Sequence, residues 1–178
     1  MIMFDHLTGD FEVKGESLVI SDPCYVTKDL QIIVEAVNGN WASGVLMDLN
    51  GRVEALLAWS TESKDDLWAD EAIGKIGVDS GQAGIFDASV YSYTKGRYGD
   101  SDTFYDQCCA KTQSKQRAGT VPGGVASVSG WGDGEYDVYV ARNSDGKVVS
   151  VMISFLDDVD EEEDEEDLLA GDPGTLLN

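Results

Sequence analysis

The chain has 178 residues, of which 34 are acidic and 12 are basic, and a formal net charge of −22. This length suits one domain with a substantial core, and a hydrophobic fraction of 42% argues against a wholly disordered chain. Because phosphate groups repel so acidic a protein, we expect neither direct nucleic-acid binding nor attachment to an anionic membrane surface.

Apolar runs separated by turn signals predict a chain built mostly of strands. Phe11 to Ile20 is the first predicted strand. Three further segments follow: Leu30 to Val37, Asn40 to Asp48 and Arg52 to Trp59. They are separated by Asn38-Gly39 and Asn50-Gly51. Because Asn-Gly accepts the positive φ of a tight hairpin turn, the three segments predict an antiparallel meander.

Two helices and a last hairpin complete the predicted elements. Thr61 to Ile73 has a cap-like start and an acidic first turn, and Ser101 to Gln116 follows a Ser cap, so both are predicted helices. The last hairpin joins Glu135–Ala141 to Lys147–Phe155 through a turn ending at Gly146. Together these elements predict a β-rich α+β fold, a twisted sheet curled toward a half-barrel or a sandwich with two short helices.

The charge divides the chain into two parts. Residues 157–178 hold 11 acidic residues and no basic one, which leaves 23 acidic and 12 basic residues, a net of −11, in residues 1–156. A run of like charges cannot pack against itself. We therefore predict a single globular β-rich domain over 1–156 and a disordered acidic tail over 157–178. Ten tail residues are candidates for partner binding: Asp157, Asp158, Asp160, Glu161, Glu162, Glu163, Asp164, Glu165, Glu166 and Asp167.

Cysteine usage and the absence of targeting patterns bear on the compartment. No apolar run in the sequence approaches a membrane span, and the first residues lack the basic start and apolar middle of a signal peptide. The three cysteines, Cys24, Cys108 and Cys109, form neither a disulfide framework nor a C-x-x-C zinc pattern. We expect reduced thiols in a cytoplasmic protein.

Three acidic motifs among glycines and turn residues contain the candidate site residues. They are Ser21-Asp22-Pro23-Cys24-Tyr25, the segment 77–87 around Asp79, and the segment 130–137 around Asp133. In one interpretation these carboxylates cap backbone amides in turns. In the other, Asp22, Asp79 and Asp133, with Asp87 and Asp137, converge as oxygen ligands for Ca²⁺ or Mg²⁺. No segment follows the EF-hand loop, and both interpretations stay open.

An enzymatic function is the alternative to a binding function. A small hydrolase, metal-dependent or carboxylate-based, would place Asp79 and Asp133 in its site. A nucleophilic Ser80 or Cys24 normally needs a neighbouring histidine, and the sequence has only His6. Neither glycine-rich nucleotide-binding pattern occurs, so no nucleotide cofactor is expected.

The ordered series of motifs resembles an uncharacterised family of bacterial and phage proteins labelled only as a domain of unknown function. The resemblance rests on Ser-Asp-Pro-Cys-Tyr at 21–25, Gly-Val-Asp-Ser-Gly-Gln-Ala-Gly-Ile-Phe-Asp at 77–87, Val-Pro-Gly-Gly-Val at 121–125 and Gly-Trp-Gly-Asp-Gly-Glu-Tyr-Asp-Val-Tyr at 130–139. It spans roughly Asp22 to Phe155. It implies a small, often phage-borne domain without an established activity, and it transfers no catalytic residue.

The charge, the single histidine and the resemblance together favour an interaction protein. An acidic body with an acidic tail attracts a basic partner protein and speeds their encounter. Basic proteins are largely nucleic-acid-binding proteins, so we expect a phage-type accessory protein that occupies such a surface of a host factor in place of DNA, in the host cytoplasm, as an inhibitor. Trp131, flanked by glycines, is the candidate apolar anchor. The plainer alternative is that the charge provides solubility only.

Overall fold

The computed structural model describes residues 5–25, 28–64, 67–91 and 104–156. That part of the chain forms eleven strands and one helix. In chain order they are β1 (His6–Val13), β2 (Ser17–Ser21), β3 (Ile32–Glu35), β4 (Gly39–Met47), β5 (Val53–Ser60), β6 (Glu71–Val78), β7 (Gln82–Asp87), α1 (Phe104–Thr112), β8 (Ala118–Val121), β9 (Gly124–Val128), β10 (Gly134–Arg142) and β11 (Val148–Ser154). Within these ranges no helix is long and apolar enough to cross a membrane.

The strands form two antiparallel sheets that are not closed into a barrel. The six-stranded sheet has the order β1-β4-β5-β11-β10-β6, and the five-stranded sheet has the order β3-β2-β7-β9-β8. A parallel bridge between Ala36 and Val148 links the chain after β3 to β11 in the other sheet. The predicted β-rich fold is confirmed.

The core lies between the two sheets. Fully buried side chains from both contribute to it, among them Ile20, Trp41, Leu56, Ile85 and Phe155. A smaller cluster on the opposite face of the five-stranded sheet includes Phe86, Tyr91 and Cys108 of α1. Because side chains alternate along a strand, β7 is buried on both faces and none of its residues is exposed.

The last hairpin and the turn before β5 follow the sequence prediction. β10 pairs with β11 in antiparallel register, with Val140 opposite Val151. In the turn between β4 and β5, the carboxylate of Asp48 accepts hydrogen bonds from the amides of Asn50 and Arg52, both at 2.8 Å. Gly51 has a φ of +75°, the conformation for which glycine is favoured. Both hairpins are local structures, so their turn residues suffice to predict them.

The predicted helix over Thr61–Ile73 is wrong. None of the described residues in that range is helical, and Glu71 begins strand β6, which pairs with β10 over its whole length. Long-range pairing and the burial of Ile76 and Val78 outweigh the local cap signals. The second predicted helix is confirmed as α1 over Phe104–Thr112, while its predicted start at 101–103 lies outside the described residues.

The single predicted strand over Phe11–Ile20 is wrong, because it is two strands in different sheets. β1 belongs to the six-stranded sheet and β2 to the five-stranded sheet. The chain turns between them, where the amides of Lys14 and Gly15 donate to the carboxylate of Asp87 at 2.7 and 3.2 Å. That contact spans more than seventy residues of sequence, so no local pattern could indicate it.

The predicted three-stranded meander is also wrong in its first strand. β3 pairs with β2, with Ile33 opposite Val19, and β1 takes the place beside β4. The chain crosses from one sheet to the other between β3 and β4, and Gly39 has a φ of +110° there. The Asn-Gly pair at 38–39 therefore marks a crossing between sheets and not a hairpin turn.

Ser127 provides a test of how the core is packed. It is fully buried in β9, and its Oγ has no hydrogen-bond partner in the described part of the chain. A hydroxyl buried without a partner costs about 1–3 kcal/mol, so we expect Ser127→Ala to leave the free energy of unfolding unchanged or to raise it by about 1 kcal/mol in urea denaturation. The matched control is Ser43→Ala, because the buried Ser43 Oγ donates to the Gly9 carbonyl at 2.8 Å. We expect this control to lose about 1 kcal/mol. A Ser127→Ala protein as destabilised as the control would contradict the assignment.

Candidate functional site

The centre of the candidate site is the carboxylate of Asp22, which is fully buried at the end of β2. Its Oδ2 accepts hydrogen bonds from the amides of Asp79 and Ser80 at 2.8 and 2.7 Å. Its Oδ1 accepts from the amide of Cys24 at 2.8 Å and from Ser80 Oγ at 2.6 Å. Hydrogen bonds to a carboxylate are stronger than neutral ones, and they offset the desolvation of the buried charge. Asp22 thus fastens the end of β2 to the turn between β6 and β7.

The hydroxyl of Tyr91 makes a second group of hydrogen bonds to the loop that follows β2. It is 3.1 Å from the Asp22 carbonyl oxygen and 3.0 Å from the Tyr25 carbonyl oxygen, and it accepts from Gln31 Nε2 at 3.1 Å. Burial, followed by the nearby Asp79 carboxylate, raises the pKa of the Tyr25 hydroxyl well above its ordinary value. The loop after β2 is therefore held by the Asp22 carboxylate and by the hydroxyl of Tyr91.

Helix α1 contributes two thiols, Cys108 and Cys109, and the side-chain amide of Gln82 in β7 connects the helix to the site. Gln82 Nε2 donates to Cys109 Sγ at 3.3 Å, and Gln82 Oε1 accepts from Thr112 Oγ1 at 3.1 Å. Burial, and then the neighbouring Cys109, raises the pKa of Tyr105 to about 12. Burial also raises the pKa of the Cys108 thiol far above its usual range. Because the thiolate is the reactive form of cysteine, Cys108 serves as a small apolar side chain.

The structure brings together three of the five predicted carboxylate residues. Val78 pairs with Gly134 in the β6–β10 ladder, so Asp79 and Asp133, each one residue beyond that pair, come to the same end of it. The Asp22 carboxylate reaches this end through the Asp79 amide. Asp137 instead pairs with Lys75 Nζ at 3.0 Å on the surface, and Asp87 fastens the turn between β1 and β2.

Asp22 is not available to a metal ion. Both of its oxygens are engaged by four protein donors, and a Ca²⁺ or Mg²⁺ site takes about six or more oxygen ligands. In the described ranges, no group of three or more His, Cys, Asp or Glu side chains is placed to hold a metal. The geometry favours the capping interpretation for Asp22. A metal or hydrolytic site built on the exposed Asp79 and Asp133 stays a prediction.

The candidate nucleophiles have other neighbours than a histidine. His6 is exposed at the start of β1, and Ser80 Oγ donates to Asp22. Cys24 and Cys109 are partly buried thiols without a disulfide. Nothing in these contacts supplies Ser80 with a general base other than the Asp22 carboxylate, which already accepts three other hydrogen bonds.

Trp131 is exposed, with 58% of its surface accessible. The guanidinium carbon of Arg52 lies 4.0 Å from the centre of its ring, and Arg52 Nε donates to Asp48 Oδ2 at 3.0 Å. Sequence reasoning missed Arg52 and the exposed Leu49 beside it, because the turn between β4 and β5 and the turn before β10 meet only in three dimensions. The predicted tail residues, 157–178, lie outside the described residues.

A family model described as "Protein of unknown function (DUF4241)" matches residues 48–153. The chain belongs to this family. The match confirms the resemblance to an uncharacterised family, and it covers the motifs around Asp79 and Asp133. It begins after Asp22, so the first motif lies outside the matched region. Searches of curated proteins and of solved structures gave no match.

In this DUF4241 protein we expect Asp22→Asn to be severely destabilising. The change removes the charge and turns one acceptor into a donor that faces backbone amides, and losing hydrogen bonds to a buried charge costs about 3 kcal/mol or more. The exposed Asp133→Asn is the matched control, expected within about 0.5 kcal/mol of wild type. Urea denaturation followed by circular dichroism compares the two, and equal losses would show that Asp22 is not the structural clamp.

Asp87 makes the stability of the DUF4241 fold depend on acid. Burial acts to raise the pKa of the Asp87 carboxyl, but amide donors led by Ser89 and Lys14 outweigh it and hold that pKa below its usual value. The folded state then binds the proton less readily than the unfolded state. The stabilisation is complete above the unfolded-state pKa of about 3.9 and is lost as the pH falls through the lower, folded-state pKa.

The measurement is urea unfolding of wild type and Asp87→Asn from neutral to acid pH. We expect the variant to be less stable at pH 7 and the difference to shrink below about pH 4. A difference that stays constant down to the acid limit would contradict the assignment.

Proposed function

We propose that this protein acts by protein–protein interaction, as an acidic accessory protein of phage type that occupies a basic, nucleic-acid-binding surface of a host factor and inhibits it. The proposal rests on where the charge lies. The described part of the chain holds 19 acidic and 10 basic residues, a net of −9. Of those acidic residues only Asp22 and Asp87 are buried, so seventeen reach solvent in whole or in part.

Ion pairs on the surface do not remove the excess of negative charge. Four ion pairs join one described residue to another: Lys14–Glu12, Arg52–Asp48, Lys75–Asp137 and Arg142–Glu71. Each pair neutralises one positive and one negative charge, so the net charge of the described residues is unchanged. Opposite charges attract across about 10 Å at 0.1 M salt, which is enough to orient a basic protein before contact.

The tail extends the same property. Its 11 acidic residues give it a charge of −11, which equals the net charge of residues 1–156. A basic surface that binds DNA recognises the phosphate backbone mainly through charge, independently of base sequence. A protein with many surface carboxylates can therefore compete with DNA for that surface without resembling any particular DNA sequence.

The contacts of the candidate nucleophiles support binding in preference to catalysis. Ser80 Oγ donates a hydrogen bond to the Asp22 carboxylate, and burial raises the pKa of the Cys108 thiol, which keeps it protonated. The carboxylate at the centre of the site is committed to backbone amides and not to an incoming group.

Competition with DNA tests the proposal. A fluorescent DNA duplex is first bound to a basic, non-specific DNA-binding domain, and the full-length protein is then added while anisotropy is recorded. We expect the DNA to be released at about 50 mM NaCl, a salt concentration at which screening is weak and the domain alone still holds the duplex. The control is a full-length variant in which the ten carboxylates of residues 157–167 are changed to amides, and we expect more of this variant to be needed for the same release. Retention of the DNA at low salt would overturn the proposal.

A further inference from the structure

A cleft of about 290 Å³ lies beside the edge strand β1. At Gly9, β1 comes close to β8, since a Cβ added there would lie 3.2 Å from Thr120 Oγ1. The cleft opens farther along, between residues 10–14 on one side and the turn of Pro122 and Gly123 on the other. It is therefore formed where the two sheets meet at a corner, and we call it the β1 cleft.

The lining combines apolar surface with carboxylates. Phe11 and Val121 form apolar lining, and the exposed Val90 lies over Gly123 at one side. Asp10 and Glu12 are exposed on β1 at the other side. The buried Asp87 also borders the cleft, with its oxygens turned to the amides of the turn between β1 and β2. The cleft therefore offers apolar contact to a ligand together with a negative potential.

Size decides which ligand fits. Pockets for small molecules enclose about 300–1,000 Å³, so this cleft is at the lower limit and suits a single long side chain. Lysine and arginine combine an apolar stem with a cationic head, and they bury the stem while the head remains near water or a counter-charge. That combination matches an apolar lining beside two exposed carboxylates.

We propose that the β1 cleft receives one arginine or lysine side chain of the basic partner protein. The inference rests on the proposed function and locates one contact of that interaction. The stem lies against Val121 and the exposed Val90, and the cationic head approaches the carboxylates of Asp10 and Glu12. Charge complementarity selects this occupant, because a cation makes stronger hydrogen bonds to those carboxylates than a neutral donor does, and an acidic side chain is repelled by them.

The side chain of Lys14 already pairs with one of these carboxylates and would compete with an incoming cation. Its Nζ is 3.7 Å from Glu12 Oε2, and the two side chains are 68% and 60% exposed. Such exposed pairs contribute little to stability, so an incoming cation displaces Lys14 at small cost. Removing the Lys14 charge should therefore strengthen binding, an effect opposite in sign to that of removing Glu12.

The test uses the full-length protein and a fluorescein-labelled peptide of arginines separated by glycines, with a peptide of the neutral isostere citrulline for comparison. Fluorescence anisotropy gives the dissociation constant. We expect the double variant Asp10→Asn with Glu12→Gln to bind the arginine peptide about tenfold more weakly, and Lys14→Gln to bind it about threefold more tightly. The matched control is Asp29→Asn with Glu35→Gln, which removes two exposed carboxylates near β3.

Three outcomes separate the two proposals. Tight binding of the arginine peptide, with loss in the β1 double variant and little change in the control, supports the cleft. Equal weakening in both double variants overturns the cleft while the general attraction of basic partners stands. Equal binding of the arginine and citrulline peptides by wild type overturns both proposals. Thermal unfolding of each variant verifies that it is folded, since all four carboxylates are exposed.

Discussion

Two buried carboxylates hold the crossings between the sheets. Asp22 fastens β2 of the five-stranded sheet to the turn that follows β6 of the six-stranded sheet. Asp87 fastens the end of β7 to the turn where the chain passes from β1 to β2. Burying a carboxylate costs several kcal/mol, and several amide donors at each group offset that cost. These two groups therefore help to fix the relative position of the two sheets on either side of the core.

This arrangement divides the acidic residues by role. Asp22 and Asp87 are buried and bind the chain's own amides, whereas Asp10, Glu12 and Asp133 are exposed. The first group explains why charge is tolerated inside a β-rich core, and the second gives the surface its excess of negative charge. The region matched to the DUF4241 family, residues 48–153, contains Asp87 and the amide donors of Asp79 and Ser80. For each of the two buried carboxylates, the family region therefore includes only one side of the contact: the donors to Asp22, and Asp87 without its donors in the turn between β1 and β2.

The candidate site was partly predictable. The turn motifs identify Asp22, Asp79 and Asp133 as residues with a special local role, and the structure brings all three to one end of the β6–β10 ladder. Their role was not predictable, because a carboxylate that caps amides and one that binds a metal occupy the same kind of Gly-flanked turn. The donors to Asp22 lie 57 and 58 residues away in sequence, which no local pattern indicates.

The sequence by itself determined the β-rich class, helix α1, the last hairpin and the hairpin between β4 and β5, because short-range turn chemistry and side-chain alternation fix such elements. Only the tertiary structure decided that residues 11–20 are split between sheets, that β3 leaves the meander, and that residues 71–78 form a strand. In each of these cases a distant partner supplies the deciding hydrogen bonds. The charge shows the same distinction. The sequence gives the net charge, whereas the fold determines which carboxylates are exposed.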